Sequence, residues 1–501
     1  MKQLLTEWAN HDLSFSEYPR PLKRRKSFIN LNGFWQYSIR SQDDISNVQW
    51  MGNIRVPFSI ESYLSTVQKQ LLPDQYLIYR KEFINPVQDT SRLILHFDAV
   101  DQDCKVYINK KCVIKHNGGY IPFEKDITPY LEENNEIIVV VQDDTDASFH
   151  SRGKQTLNPK GMFYTSTSGI WKSVWMEIVP EKAIYDIQCH VDYDLKKVTF
   201  DIDRMDTESY SLEIYEPFID SQSHLNAEDC KKEDLNTDVL EYENKKIIYS
   251  IQTHQNHLEI EFETIQSWTC QTPYLYYFKV KNIEDEIVSY FAFRLFNTEI
   301  HNNQMRICLN HKPYFQRGVL DQGYWPDGGL TPPSDKALMY DILKMKELGF
   351  NMLRKHIKVE FERFYYHCDR LGMIVWQDMV CGGSKLKIWF LAYVTTFLNR
   401  FNLTMSDTHS WLLSRMDQKG KDEFEKEMEE TMNLLKNHPC IAVWVLFNEG
   451  WGQFETKRLT DKMRMIDSSR IIDSTSGWYD QKCGDLKSHH HYYFKRNLVF
   501  E

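Results

Sequence analysis

From about Asn30 to Pro180 the chain carries short β-rich runs divided by turn residues. Leu93-Ile94-Leu95-His96-Phe97, Lys105-Val106-Tyr107-Ile108 and Glu136-Ile137-Ile138-Val139-Val140-Val141 are three of them. His116-Asn117-Gly118-Gly119-Tyr120 supplies a turn signal between the last two. This pattern predicts an antiparallel sandwich. From about Ala183 to Phe296 alternation returns in Lys197-Val198-Thr199-Phe200-Asp201-Ile202 and in His257-Leu258-Glu259-Ile260-Glu261-Phe262, with no long helical pattern. A stretch of about 115 residues of this kind suits a small immunoglobulin-like sandwich.

After about Ile300 the period changes, and strands alternate with helices. Tyr314 to Leu320 is a predicted strand, and Ser334 to Leu348 a helix with Leu338, Ile342, Met345 and Leu348 on one side and Gly349 as its stop. Further predicted strands are Phe350 to Arg354, Met373 to Trp376, Ile441 to Phe447, Arg470 to Thr475 and Lys487 to Tyr493. Helical patterns with Phe361, Phe364, Cys368 and Leu371, then Phe424, Met428, Thr431 and Leu435, then Leu459, Met463 and Ile466 fall between them. Strand–helix repetition implies a parallel sheet, open or closed into a barrel. Six strands fall short of a complete eightfold barrel. The expectation is a barrel that stops before its seventh strand and leaves open edges.

The length of 501 residues exceeds one ordinary core and suits three domains. The divisions expected are 1–181, 182–298 and 299–501. Hydrophobic content of 42% with 26% charged residues is that of a globular protein. The net charge of −11 is spread along the chain, which excludes a nucleic-acid footprint built on clustered Lys and Arg. The one dense basic run, Lys23-Arg24-Arg25-Lys26, reads as a solvated surface stretch. Met1 to Asn10 lacks the apolar core of a secretory signal, so a cytoplasmic protein is expected. The longest apolar stretch, Ile388 to Leu398, is broken by Thr395 and Thr396 and falls short of the roughly 20 residues that span a bilayer; it reads as a buried or capping helix. Ten scattered cysteines without a C-x-x-C pair suggest isolated thiols and no zinc knuckle.

In a barrel of parallel strands the active site lies at the C-terminal strand ends. Those ends carry Arg354, Lys355 and His356, then Gln377 and Asp378, then Asn448 and Glu449, then Trp478, then His489 to His491. Glu449 is the candidate general acid and base, because a carboxyl beside apolar Trp444, Phe447 and Trp451 suits a pKa raised towards neutrality. A Glu capping the following helix is the plainer reading of the same residue. Asn448 suits a hydrogen bond to a sugar hydroxyl, or else a turn at a strand exit. Trp451 and Trp478 suit stacking on the apolar face of a sugar, although core packing is the commoner use of Trp. Consecutive residues of a strand point to opposite faces, so at most two of the three histidines converge. His489 and His491, with Arg354, His356 and Asp378, are expected to contact substrate, and neither metal nor cofactor is expected.

These residues resemble glycoside hydrolase family 2, which includes β-galactosidases, β-glucuronidases and β-mannosidases. The markers include Leu31-Asn32-Gly33-Phe34-Trp35, Val56-Pro57-Phe58, Ile60-Glu61-Ser62, Ser168-Gly169-Ile170-Trp171, Gln316-Arg317-Gly318, Asn351-Met352-Leu353-Arg354, Cys368-Asp369-Arg370-Leu371-Gly372 and Trp444 to Trp451. The resemblance implies a multidomain chain: a jelly-roll sugar-binding-like β-sandwich, an immunoglobulin-like β-sandwich and an incomplete (β/α)8 TIM barrel. It implies hydrolysis of terminal β-linked sugars, β-galactosidase-like, by a retaining mechanism with Glu449 as acid/base and Asn448 as its neighbouring ligand. The family's nucleophile is a Glu on the seventh strand, within a segment resembling Glu-Phe-Gly-Gly, and no such segment occurs in these 501 residues. The expectation therefore includes a chain inactive for want of that Glu, and as alternative a catalytically silent carbohydrate-binding remnant. The partner expected is a carbohydrate substrate, with no nucleic acid and no membrane; a homo-oligomer is left open.

Overall fold

The computed structural model describes residues 4–385, 387, 389–400 and 404–490. The first sandwich sets a six-stranded antiparallel sheet, in the order Gly52–Val56, Gly33–Arg40, Tyr76–Ile84, Asn134–Gln142, Asp103–Ile108 and Lys111–Asn117, against a four-stranded one built around Val174–Val179 and Arg92–Phe97. Alternation decides which side chains meet in the middle. In Asp103–Ile108 the buried positions are Cys104, Val106 and Ile108, and they pack with Trp35, Val139, Leu95 and Met176 of both sheets. The second sandwich pairs a three-stranded sheet with a four-stranded one around Phe200, Ile202, Leu212, Phe278 and Phe291.

The third part opens with a hairpin, Phe296–His301 and Gln304–Leu309, and continues into a parallel sheet. Numbered within that sheet, the strands are β1 (Gly318–Asp321), β2 (Met352–Lys355), β3 (Ile374–Asp378), β4 (Ile441–Asn448) and β5 (Ile471–Ser476), adjacent in sequence order. The α-helices are α1 (Asp335–Glu347), α2 (Glu362–Leu371), α3 (Thr395–Arg400), α4 (Gln418–Leu435) and α5 (Thr456–Ile466). Every residue of β4 is buried, as a parallel strand covered on both faces must be. Ser334 caps α1 by accepting from the Ala337 amide at 3.2 Å, and α2 stops at Gly372 in the left-handed conformation.

The sixth strand expected over 487–493 is not formed in 487–490, which pair with no strand; 491–493 lie outside the described residues. The preceding segment instead lies against β5. The Ile472 amide donates to the Asp485 carboxylate and the Asp485 amide to the Ile472 carbonyl, each at 2.8 Å, so side chain and backbone together satisfy part of the edge. Ile388 also lies outside the described residues. The rest of the apolar stretch is helical, with Phe390 and Leu391 buried but Trp389, Tyr393 and Phe397 exposed.

The basic run near the N-terminus is not the solvated stretch its composition suggested. Arg25 pairs with Glu177 at 3.1 Å and with Asp285 at 3.0 Å, and Arg24 pairs with Asp238 at 2.6 Å. Arg20 reaches the same Glu177 at 2.9 Å. Glu177 ends the first sandwich and Asp285 belongs to the second, so the cations form a seam between the two; Lys26 alone of the run stays largely in solvent.

Candidate active site

The strand ends converge on Arg354. Its Nε donates to Asp378 Oδ1 at 2.8 Å and its Nη2 to Asp378 Oδ2 at 2.9 Å, a bidentate clamp between β2 and β3. Nη2 also donates to Asn448 Oδ1 at 3.0 Å, and Nη1 faces His490 Nε2 at 3.4 Å. A third carboxyl, Asp473 of β5, lies in the field of the same guanidinium; burial pushes its pKa up to about 6 against the pull of the Ser488 hydrogen bond and Arg354. Burial also raises the Asp378 carboxyl, with Arg354 opposing the shift.

Glu449 follows the last residue of β4 in a left-handed conformation, φ 52°, and its amide donates to the Ser476 carbonyl at 2.9 Å. This turn sets its carboxyl at the sheet's C-terminal rim, where Oε1 meets His490 Nδ1 at 2.7 Å. His490 Nε2 lies 3.0 Å from Ser476 Oγ and faces Arg354, which has only donors to offer. A neutral His490 therefore accepts at Nε2 and donates its Nδ1–H to Glu449. Gly477 makes the close approach of this imidazole feasible: its φ is +93°, and a Cβ there would lie 2.5 Å from the His490 ring.

Of the residues expected at the site, Arg354, Asp378, Asn448 and Glu449 are brought together. His356 stands beside them, with Nδ1 buried and unbonded among the described residues. Burial, then the charges of Arg354 and Lys154, lower its pKa to about 3, so it is neutral at ordinary pH. Asn448 Nδ2 is likewise buried and makes no well-aligned hydrogen bond among the described residues, although the same amide lies beside the His356 ring, and Oδ1 is taken by Arg354. Trp451, 4% exposed, stacks on Phe163 of the first sandwich at 6.1 Å and lies under Lys154, in an apolar cluster with Tyr479 and Leu413. It forms packing beneath the site more than an open platform. Trp478 packs against the same cluster, 6.4 Å from His490. His489 is exposed, and His491 lies outside the described residues.

Sequence reasoning did not single out Ser476 or Gly477, and it named His490 only as the middle of the His489 to His491 run. It selected His489 and His491 because a strand alternates; 487–490 form no strand, so that rule does not govern which imidazole points inward. The sequence signal for His490 was its place in the His489 to His491 run; its approach to Ser476 and Gly477 is a tertiary fact.

Residues 28–180 match the family model "Glycosyl hydrolases family 2, sugar binding domain", and residues 298–498 match "Glycosyl hydrolases family 2, TIM barrel domain". A β-galactosidase of Thermoanaerobacter pseudethanolicus is 25% identical over 406 residues, covering 78% of this chain and 47% of that protein. A relative from Formosa agariphila is 23% identical over 469 residues, covering 90% of this chain and 50% of that protein. The chain thus spans about half the length of these curated relatives. Among solved structures, a β-glucuronidase of an uncultured Clostridium sp. superposes with a TM-score of 0.69 at 18% identity, over 94% of this chain and 76% of that one. Two sandwiches leading into a parallel sheet whose strand ends gather an Arg, an Asn and a Glu, together with model matches at both ends of the chain, make it a member of glycosyl hydrolases family 2.

Proposed function

We propose that this protein hydrolyses terminal β-linked sugars, with Glu449 as the general acid and base. The observation that carries this reading is the Glu449 carboxyl at the exit of β4, held at 2.7 Å by His490 and flanked by Asn448. A carboxyl so placed protonates a glycosidic oxygen and later takes a proton from water. Asn448 offers its Nδ2 donor to a sugar hydroxyl, while Arg354 fixes the amide by holding Oδ1. Relatives named β-galactosidase and β-glucuronidase support a β-linked substrate without selecting the sugar.

One observation favours a second reading, carbohydrate binding without turnover. A retaining mechanism takes a second carboxylate roughly 5–5.5 Å from the first. Of the other carboxyls around Arg354, Asp378 has both oxygens engaged by it, and Asp473 accepts from Ser488 and has its pKa pushed up to about 6 by burial. Neither is placed as a ready nucleophile.

Nitrophenol release from a panel of aryl β-glycosides separates the readings, with Glu449→Gln as control. Turnover lost in the variant supports hydrolysis and names the sugar. Calorimetric binding of a β-linked sugar with no turnover by the folded chain supports the second reading.

A further inference from the structure

The hairpin that leads into the parallel sheet carries a set of metal-ligating side chains that the catalytic reading does not use. Glu299 and His301 alternate onto one face of its first strand, and Cys308, opposite Asn297 on the second, joins them on that face. One donor atom from each of Glu299, His301 and Cys308 lies within 4.8 Å of the others. His301 Nε2 stands 3.1 Å from Glu299 Oε2. The other carboxylate oxygen, Oε1, is taken by Asn297 Nδ2 at 2.7 Å and His311 Nδ1 at 2.5 Å. His311 in turn bridges to Asp194 of the second sandwich, Nε2 to Oδ1 at 2.6 Å. Glu299 is therefore oriented from behind, with Oε2 on the imidazole, while the Cys308 thiol faces the Arg306 carbonyl at 3.7 Å.

We propose that Glu299, His301 and Cys308 form a zinc site on this hairpin. The donor set is mixed nitrogen, sulfur and oxygen, which suits a borderline-soft ion and disfavours calcium or magnesium, both of which take oxygen ligands. In a tetrahedral zinc site with bonds of roughly 2.0–2.3 Å the ligand atoms sit roughly 3.5 Å apart, so the three donors need close by only about 1 Å. Binding replaces the proton of the Cys308 thiol and takes a neutral His301, and water completes the fourth position. His311 and Asp194 stand where an outer carboxylate–histidine pair fixes a ligating group, here Glu299. The spacing, with two ligands on one strand and the third across the hairpin, resembles no linear zinc motif.

The test is zinc analysis of the full chain after treatment with chelator, exposure to Zn²⁺ and gel filtration. The wild type is expected to retain one equivalent, which Cys308→Ser and His301→Gln each lose, while Cys112→Ser, at an exposed thiol on the first sandwich, keeps it. His311→Gln is expected to weaken affinity roughly 10- to 100-fold. Cobalt loading gives an independent readout, a thiolate-to-cobalt charge-transfer band absent from Cys308→Ser. Circular dichroism confirms that each variant is folded. No retained zinc in the wild type, or zinc content unchanged in Cys308→Ser, overturns the proposal.

Discussion

His490 Nδ1 lies 2.7 Å from Glu449 Oε1, although the two residues stand 41 positions apart. The contact joins the exit of β4 to the segment beyond β5, and it gives the carboxyl one fixed direction. If Glu449 is the acid and base, Glu449→Gln lowers turnover by roughly a hundredfold to ten-thousandfold. His490→Phe keeps the carboxyl and removes this contact, and on the order of a hundredfold is expected from the resulting misplacement. Gly477→Ala, whose added carbon meets the His490 ring, is expected to act in the same direction. Steady-state kinetics on the responsive aryl glycoside checks all three; unchanged kcat in His490→Phe would remove the orienting role.

The Arg354–Asp378 clamp is expected to matter for stability as well as for placing Asn448. Asp378 is 1% exposed, so Arg354→Met leaves a buried carboxyl without its counter-charge, at a cost of about 3–5 kcal/mol. Arg354→Met with Asp378→Leu removes both charges together and is expected to recover most of that loss. Denaturant melts of the single and double variants measure the difference, and a double variant no more stable than the single one would contradict the argument.

Glu427 on α4 gives a pH dependence of known sign. Burial, followed by the Glu423 charge, raises its pKa to about 8. The folded state thus holds the proton over a range where the unfolded chain has lost it. The associated stability is complete below the ordinary value of 4.5 and is lost as the pH rises to about 8. Glu427→Gln is expected to flatten the fall of Tm across that window. Glu61, also raised to about 8 by burial, leaves part of the slope in place. An unaltered Tm-versus-pH curve for Glu427→Gln would refute the assignment.

Glu177 has the opposite sign. Burial alone would raise its pKa, but Arg20 and Arg25 hold it well below the usual carboxylate range. Its contribution is present above pH 4.5 and is lost as the pH falls below that value. Glu177→Gln is expected to cost about 3–5 kcal/mol near neutrality, because two partly buried arginines lose their shared partner. Thermal melts at neutral and acid pH check this: the gap between variant and wild type should shrink on acidification.

The sequence by itself determined where most strands and helices form, the strand expected over 487–490 excepted, because side-chain burial imposes a period of two or of 3.6 on the chain. Cys104, Val106 and Ile108 alternate into the first sandwich, and Ile441–Asn448 is apolar throughout since both faces of β4 are covered. It also placed Glu449 and Asn448 at a strand exit, where a local break in the apolar run is visible. Tertiary structure alone decided what those groups meet. Whether His489, His490 or His491 turns inward depends on the path of 487–490, which is set by Asp485 binding the edge of β5 and by the space that Gly477 leaves. The same holds for the arginines near the N-terminus, read as solvated and found in a seam, and for Glu299, His301 and Cys308, which meet across a hairpin. Local periodicity is written in neighbouring residues. Electrostatic partnership in the site and in the seam is written in contacts between residues tens to hundreds of positions apart, which no window along the chain contains.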